Sequence, residues 1–122
     1  MTRRNILVGK KGEDIAAGHL ARQGYAIRGR NVRTPFGELD LVVTRGGWTV
    51  FVEVKTRRSR TYGLPQEAVT ARKKRRLAAS ARHYLQENGI SDSPWRIDVV
   101  AVECDGTGTV ERIEVFENAV TG

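Results

Sequence analysis

Asp40, Glu53 and Lys55 are ionisable residues placed inside apolar runs, Leu39-Asp40-Leu41-Val42 and Val50-Phe51-Val52-Glu53-Val54-Lys55. A charge set among residues patterned for a core needs a partner, because an unpaired buried carboxylate is costly. Between the two runs lies Gly46-Gly47, a pair that favours a two-residue type I′ turn since both central positions take positive φ. With Arg45 opposite Trp48, the hairpin register puts Val42 across from Phe51, Asp40 across from Glu53 and Glu38 across from Lys55. The same register stacks Leu39, Leu41 and Val43 against Val54, Val52 and Val50 on the other face. Opposed carboxylates with Cβ atoms about 5 Å apart repel, so the pair asks for a cation.

Mg²⁺, or Mn²⁺ in its place, answers that need with one or two carboxylates and leaves positions for water and phosphate oxygens. Lys55, two residues from Glu53, shares its face and can neutralise a phosphate or orient an attacking water. These are the parts of phosphodiester hydrolysis, with Asp40 and Glu53 as the metal pair. A lone Glu-x-Lys on a strand is more often a plain surface ion pair, and the opposing Asp40 is what separates this case from it. Glu13 follows the helical stripe of Ala16, Ala17 and Leu20 and is the fourth candidate. Its bland alternative is an acid complementing the positive end of a helix.

A cationic run surrounds these residues. Arg57, Arg58 and Arg60 lead out of the strand that carries Lys55, and Arg72, Lys73, Lys74, Arg75 and Arg76 are consecutive. The chain has a formal charge of +7 and a pI of about 10.2, a balance suited to polyanions. Phosphate contacts of this kind bind strongly, salt-sensitively and without reading sequence; a merely solvated helix face is the competing explanation. Tyr62 is placed to stack on an unpaired base, and Gln66 to reach a metal-bound water or a phosphate. Packing on the sheet explains Tyr62 better, and a helix start explains Gln66 equally well. His19, His83, Trp48, Trp95 and Asp98 read as structural residues, Asp98 as one half of an ion pair.

Among the elements that must carry these residues, Lys11 to Gln23 predicts a helix, preceded by a basic arm over residues 1–9. Strands come next over Tyr25 to Val32, Phe36 to Thr44 and Trp48 to Thr56, then a long helix from Pro65 to Asn88-Gly89, then strands Trp95 to Cys104 and Thr109 to Glu117. The order is α-β-β-β-α-β-β. Runs such as Val99-Val100-Ala101-Val102 are apolar at consecutive positions, which predicts strands covered on both faces. The expectation is an α/β fold, a mixed β-sheet flanked by helices, in one domain of 122 residues. One cysteine, Cys104, excludes an internal disulfide and a multi-thiolate zinc site. No apolar run is long enough for a membrane span, and a reducing cytoplasm is the expected compartment.

Phe36-Gly37-Glu38-Leu39-Asp40-Leu41-Val42, with Val50-Phe51-Val52-Glu53-Val54-Lys55-Thr56-Arg57 after it, resembles the signature of the YraN-type family of small bacterial endonuclease-like proteins. Gly12-Glu13, Glu67-Ala68-Val69 with Lys73 and Arg76-Leu77, Arg96-Ile97-Asp98-Val99-Val100 and Glu117-Asn118-Ala119 extend the likeness over nearly the whole chain. That family is similar to the restriction-endonuclease-like, PD-(D/E)xK superfamily and to archaeal Holliday junction resolvases. The resemblance implies that Asp40 is the motif's aspartate, that Glu53 and Lys55 are its (D/E)xK element, and that Glu13 is the helix-borne acid. Leu39 stands where the motif has proline. The resemblance also implies a metal-dependent endonuclease, acting on branched or structured DNA rather than RNA, in repair or recombination. Two other readings stand beside it: a non-catalytic nucleic-acid-binding module that retains the fold, and an RNA-binding accessory of the ribosome.

Overall fold

The computed structural model describes residues 3–57 and 70–120. The elements are α1 (Arg3–Arg22), β1 (Ala26–Thr34), β2 (Gly37–Arg45), β3 (Trp48–Arg57), α2 (Ala71–Glu87), β4 (Trp95–Cys104) and β5 (Val110–Val120). This is the α/β order expected. The strands form one five-stranded sheet in sequence order, β1-β2-β3-β4-β5. It is mixed: β3 and β4 run parallel, with α2 between them in the chain, and the other neighbours are antiparallel.

Each face of the sheet has its own helix, which is why the central strands are apolar at successive positions. Ala16, Ala17 and Leu20 of α1 pack with Leu41, Val43, Val50, Val52, Val100 and Val102. Leu77, Ala78, Ala81 and Leu85 of α2 pack with Val42, Phe51, Ile97 and Val99 on the opposite face. Helix α1 starts at Arg3, so backbone expected to be a basic arm is helical; the segment holds no proline, and its Arg, Leu and Lys residues favour helix. Pro65, where the second helix was expected to begin, lies outside the described residues; helix α2 starts at Ala71, because Thr70 has extended backbone (φ −66°, ψ 163°) and its hydroxyl accepts the Lys73 N–H. It ends as expected at Asn88-Gly89, where Gly89 takes φ +66° and the Ile90 N–H reaches back to the Leu85 carbonyl at 2.9 Å.

The hairpin turn falls where the glycines require it. Gly46 and Gly47 have φ of 57° and 82°, and the ladder runs Arg45–Trp48, Thr44–Thr49, Val43–Val50, Val42–Phe51 and Leu41–Val52. There it stops. Leu39, expected in the layer with Leu41 and Val43, packs instead with Val42 and Phe51 on the α2 side. The cause lies at Asp40, whose Oδ2 accepts the Val54 N–H at 2.9 Å, a side chain standing in for a ladder partner. Glu38 is likewise not paired with Lys55: it lies opposite Arg33 of β1, with its carboxylate 3.8 Å from the Arg33 guanidinium.

Candidate active site

Glu53 is the centre of the site. It is only 7% exposed, and its Oε1 lies 2.7 Å from the Lys73 ammonium and 3.5 Å from that of Lys55. Asp40 comes within hydrogen-bonding reach of Glu53. Together they line a cleft of ≈ 180 Å³ between the sheet and α2, shared with Gly37, Glu38, Lys73, Arg76, Leu77 and Ser80. A larger cleft of ≈ 550 Å³ at the far end of the β2–β3 hairpin is lined by Arg28, Arg45 and Tyr84 among others, and contains no carboxylate. The acid pair therefore makes the smaller one the candidate site.

The electrostatics arise from packing two acids together. Burial pushes the Asp40 carboxyl up to about 7, and the charges of Glu53 and then Glu13 push the same way against the pull of the Val54 N–H. Lys55 is held below its usual range, chiefly by burial and then by the neighbouring Lys73. Lys73 goes the other way: burial is the largest influence and opposes its charge, but the hydrogen bonds to Glu53 and Lys55 and the charges of Glu53 and Asp40 together outweigh it and raise its pKa. The result is two carboxylates and two ammonium groups in one half-buried cluster.

Both helices reach this point for reasons visible in the packing. Gly12 on α1 is buried against β3, and a Cβ there would come within 1.9 Å of the Thr56 Oγ1. Only glycine lets the helix lie so close, and Glu13 comes directly after it, near enough for its charge to act on Asp40. Lys73 lies in the first turn of α2, close behind the Thr70 cap.

Asp40, Glu53 and Lys55 are thus brought together, with Glu13 near enough for its charge to act on Asp40. Lys73, expected among the phosphate-contacting cations, joins them as a direct partner of Glu53; its approach depends on where α2 docks, which no local pattern in the sequence encodes. Ser80 is a further lining residue that sequence reasoning missed; it is 1% exposed and lies 2.9 Å from the Thr34 hydroxyl. Of the remaining cations, Arg72, Arg75 and Arg76 are exposed and Lys74 is half-buried. Arg57 lies 3.6 Å from Glu103 on the neighbouring strand. Arg58, Arg60, Tyr62 and Gln66 lie outside the described residues. Asp98 is structural, as expected: its carboxylate takes Arg96 at 3.0 Å and the Asn118 N–H at 2.8 Å.

Two carboxylates converging on one cleft suit a Mg²⁺-type ion, which needs only one or two protein ligands. The Lys73 ammonium against Glu53 shows that the position attracts a cation. Among the described residues, no group of three or more His, Cys, Asp or Glu side chains is gathered as a metal cluster. No described helix is long and apolar enough to cross a membrane.

A solved structure, that of Pyrococcus furiosus SfsA in complex with Ca²⁺, aligns at 16% identity with a TM-score of 0.41, covering 93% of this chain and 63% of that one. This likeness is too slight to carry an argument. The sequence relatives are much nearer. A UPF0102 protein of Symbiobacterium thermophilum is 52% identical over 92% of this chain and 94% of its own. One from Pelotomaculum thermopropionicum is 50% identical over 93% and 94% respectively. The profile of the Uncharacterised protein family UPF0102 matches residues 12–102, a span that takes in Glu13, Asp40, Glu53, Lys55 and Lys73. The chain belongs to that family, the one to which the YraN-type resemblance pointed.

Proposed function

We propose that this protein is a divalent-metal-dependent endonuclease that hydrolyses phosphodiester bonds in structured or branched DNA. The observation that carries the reading is the acid pair: Asp40, with its carboxyl pushed up to about 7, against the buried Glu53, flanked by Lys55 and Lys73. Asp40 and Glu53 are the residues that would hold Mg²⁺ or Mn²⁺. Such an ion supplies Lewis acidity toward a phosphoryl oxygen and lowers the pKa of a bound water. Lys55, with a lowered pKa, would orient the attacking water or steady charge on the phosphoryl group. Lys73, released from Glu53, is placed to meet the phosphate. Glu13 adds negative charge beside Asp40 and strengthens the site's preference for a divalent ion. The exposed cations Arg72, Arg75 and Arg76 hold the flanking backbone.

One observation favours a second reading. The Lys73 ammonium, 2.7 Å from Glu53, already neutralises that acid without a metal, as a non-catalytic nucleic-acid-binding module would need. Incubating the protein with single-stranded, duplex, flap and four-way-junction DNA and the matching RNAs, in Mg²⁺ and in EDTA, separates the two. The enzyme reading expects cleavage in Mg²⁺ alone, greatest on branched DNA. Binding without cleavage of any substrate would establish the module, and preference for RNA would overturn the DNA assignment.

A further inference from the structure

Phe36 is the most exposed large apolar side chain among the described residues, at 50%. It lies in the tight connection from β1 to β2, four residues before Asp40. The connection is braced. The Phe36 N–H donates to the Thr34 Oγ1 at 3.1 Å, the Thr34 hydroxyl donates to the Gly37 carbonyl at 2.8 Å, and that hydroxyl lies 2.9 Å from the buried Ser80 Oγ on α2. The ring meets His83 edge-on, with centroids 6.2 Å apart and planes at 69°. An aromatic group is thereby fixed in place with half its surface turned outward.

The residues leading to it form a track. Lys73, Arg76, Ser80 and His83 succeed one another at intervals of three and four, so they form one stripe along α2. At one end Lys73 touches Glu53, in the middle Arg76 and Ser80 line the cleft with Asp40, and at the other end His83 meets Phe36. From Lys73 to His83 the helix rises about 15 Å, close to four base steps along a duplex. Arg33, whose side chain is 89% exposed, flanks Phe36 in sequence. Besides Asp40 and Glu53, the acid beside the track is Glu38, which lies 3.8 Å from Arg33. A strand laid here has cations for its phosphates and, at the end, a bare ring for a base.

We propose that Phe36 is a stacking platform for a base outside the double helix, four residues along the chain from Asp40 and at the opposite end of the α2 stripe from the Lys73–Glu53 contact. This rests on the nuclease reading and narrows its substrate to DNA whose base stacking is interrupted near the cleaved bond. Gaps, flaps and junctions offer such bases, whereas a continuous duplex keeps them stacked.

The test measures affinity in EDTA for a labelled duplex with a short gap and for a continuous duplex of equal length. Phe36→Ala is expected to weaken binding to the gapped DNA by about 5- to 100-fold, the effect of losing one base–aromatic stack, while the duplex changes by less than about twofold. Phe36→Tyr and Phe36→Trp should retain the gapped-DNA affinity, which separates loss of stacking from loss of fold. Equal weakening on both DNAs, or no change on either, would overturn the assignment. Because no metal is present, the outcome is independent of catalysis. Selective binding without cleavage in Mg²⁺ would remove the nuclease reading alone, and cleavage without selectivity would remove the platform alone.

Discussion

Asp40 answers to two demands, since its carboxyl accepts a backbone N–H from Val54 and also faces the charge of Glu53. The second demand dominates along with burial, and the folded protein keeps a proton on Asp40 that the unfolded chain sheds near its ordinary value of 3.8. A raised folded pKa contributes stability that is full at pH values below the unfolded pKa and is lost as pH rises through about 7. Asp40→Asn keeps an acceptor for Val54 and removes the titration. Urea unfolding in EDTA should therefore show the variant more stable than wild type at pH 8 by roughly 1–3 kcal/mol, with the difference shrinking toward pH 5. Asp40, Glu53 and Lys55 were legible in the sequence as ionisable residues set in apolar runs on either side of a two-glycine turn, although the paired ladder that the turn sets ends at Leu41–Val52, just short of the acids. Lys73 was legible only as a cation. Leu39 was misplaced because alternation assumes an unbroken ladder, and the Asp40 carboxylate breaks it.

At the scale of elements, α1 reaches the site only because Gly12 has no side chain. Gly12→Ala drives a methyl to within 1.9 Å of the Thr56 Oγ1, and should destabilise the protein by about 1–3 kcal/mol while drawing Glu13 away from Asp40. Combining it with Thr56→Ala removes the closest atom but leaves the Thr56 Cβ position at 3.1 Å, so chemical denaturation should show partial recovery. The β2–β3 turn fails for a different reason. Nothing lies within 4 Å of a Cβ at Gly46 or Gly47, so alanine at either costs only backbone strain, about 1–2 kcal/mol each, read from the same denaturation curves. Strand β4 was delimited from sequence to the residue, because Trp95 and Cys104 bracket the apolar run Val99-Val100-Ala101-Val102. Helix starts were poorly delimited. Thr70, whose hydroxyl caps α2, was not read as its start, and nothing but the absence of a breaker signalled the first turns of α1.

For the whole molecule, the charge of +7 matters through where it lies: α2 presents Arg72, Arg75 and Arg76 close to the Lys55 and Lys73 ammonium groups that flank Glu53. Replacing Arg72 and Arg75 by alanine should leave the melting temperature unchanged and weaken DNA binding. The slope of log affinity against log salt should become shallower by about 0.9 for each phosphate no longer neutralised. Membership of the UPF0102 family covers the site residues from Glu13 to Lys73, so the same experiment applies to relatives near 50% identity such as that of Pelotomaculum thermopropionicum. On the proposed reading, Asp40 and Glu53 would hold a divalent ion, and this is its central claim. Calorimetric titration of the EDTA-treated, dialysed protein with Mn²⁺ at pH 8 tests this most directly. One ion bound per chain by the wild type, with binding abolished in both Asp40→Asn and Glu53→Gln, is the result expected. Uptake of Mn²⁺ that is unaltered in these two variants, or none in the wild type, would contradict it.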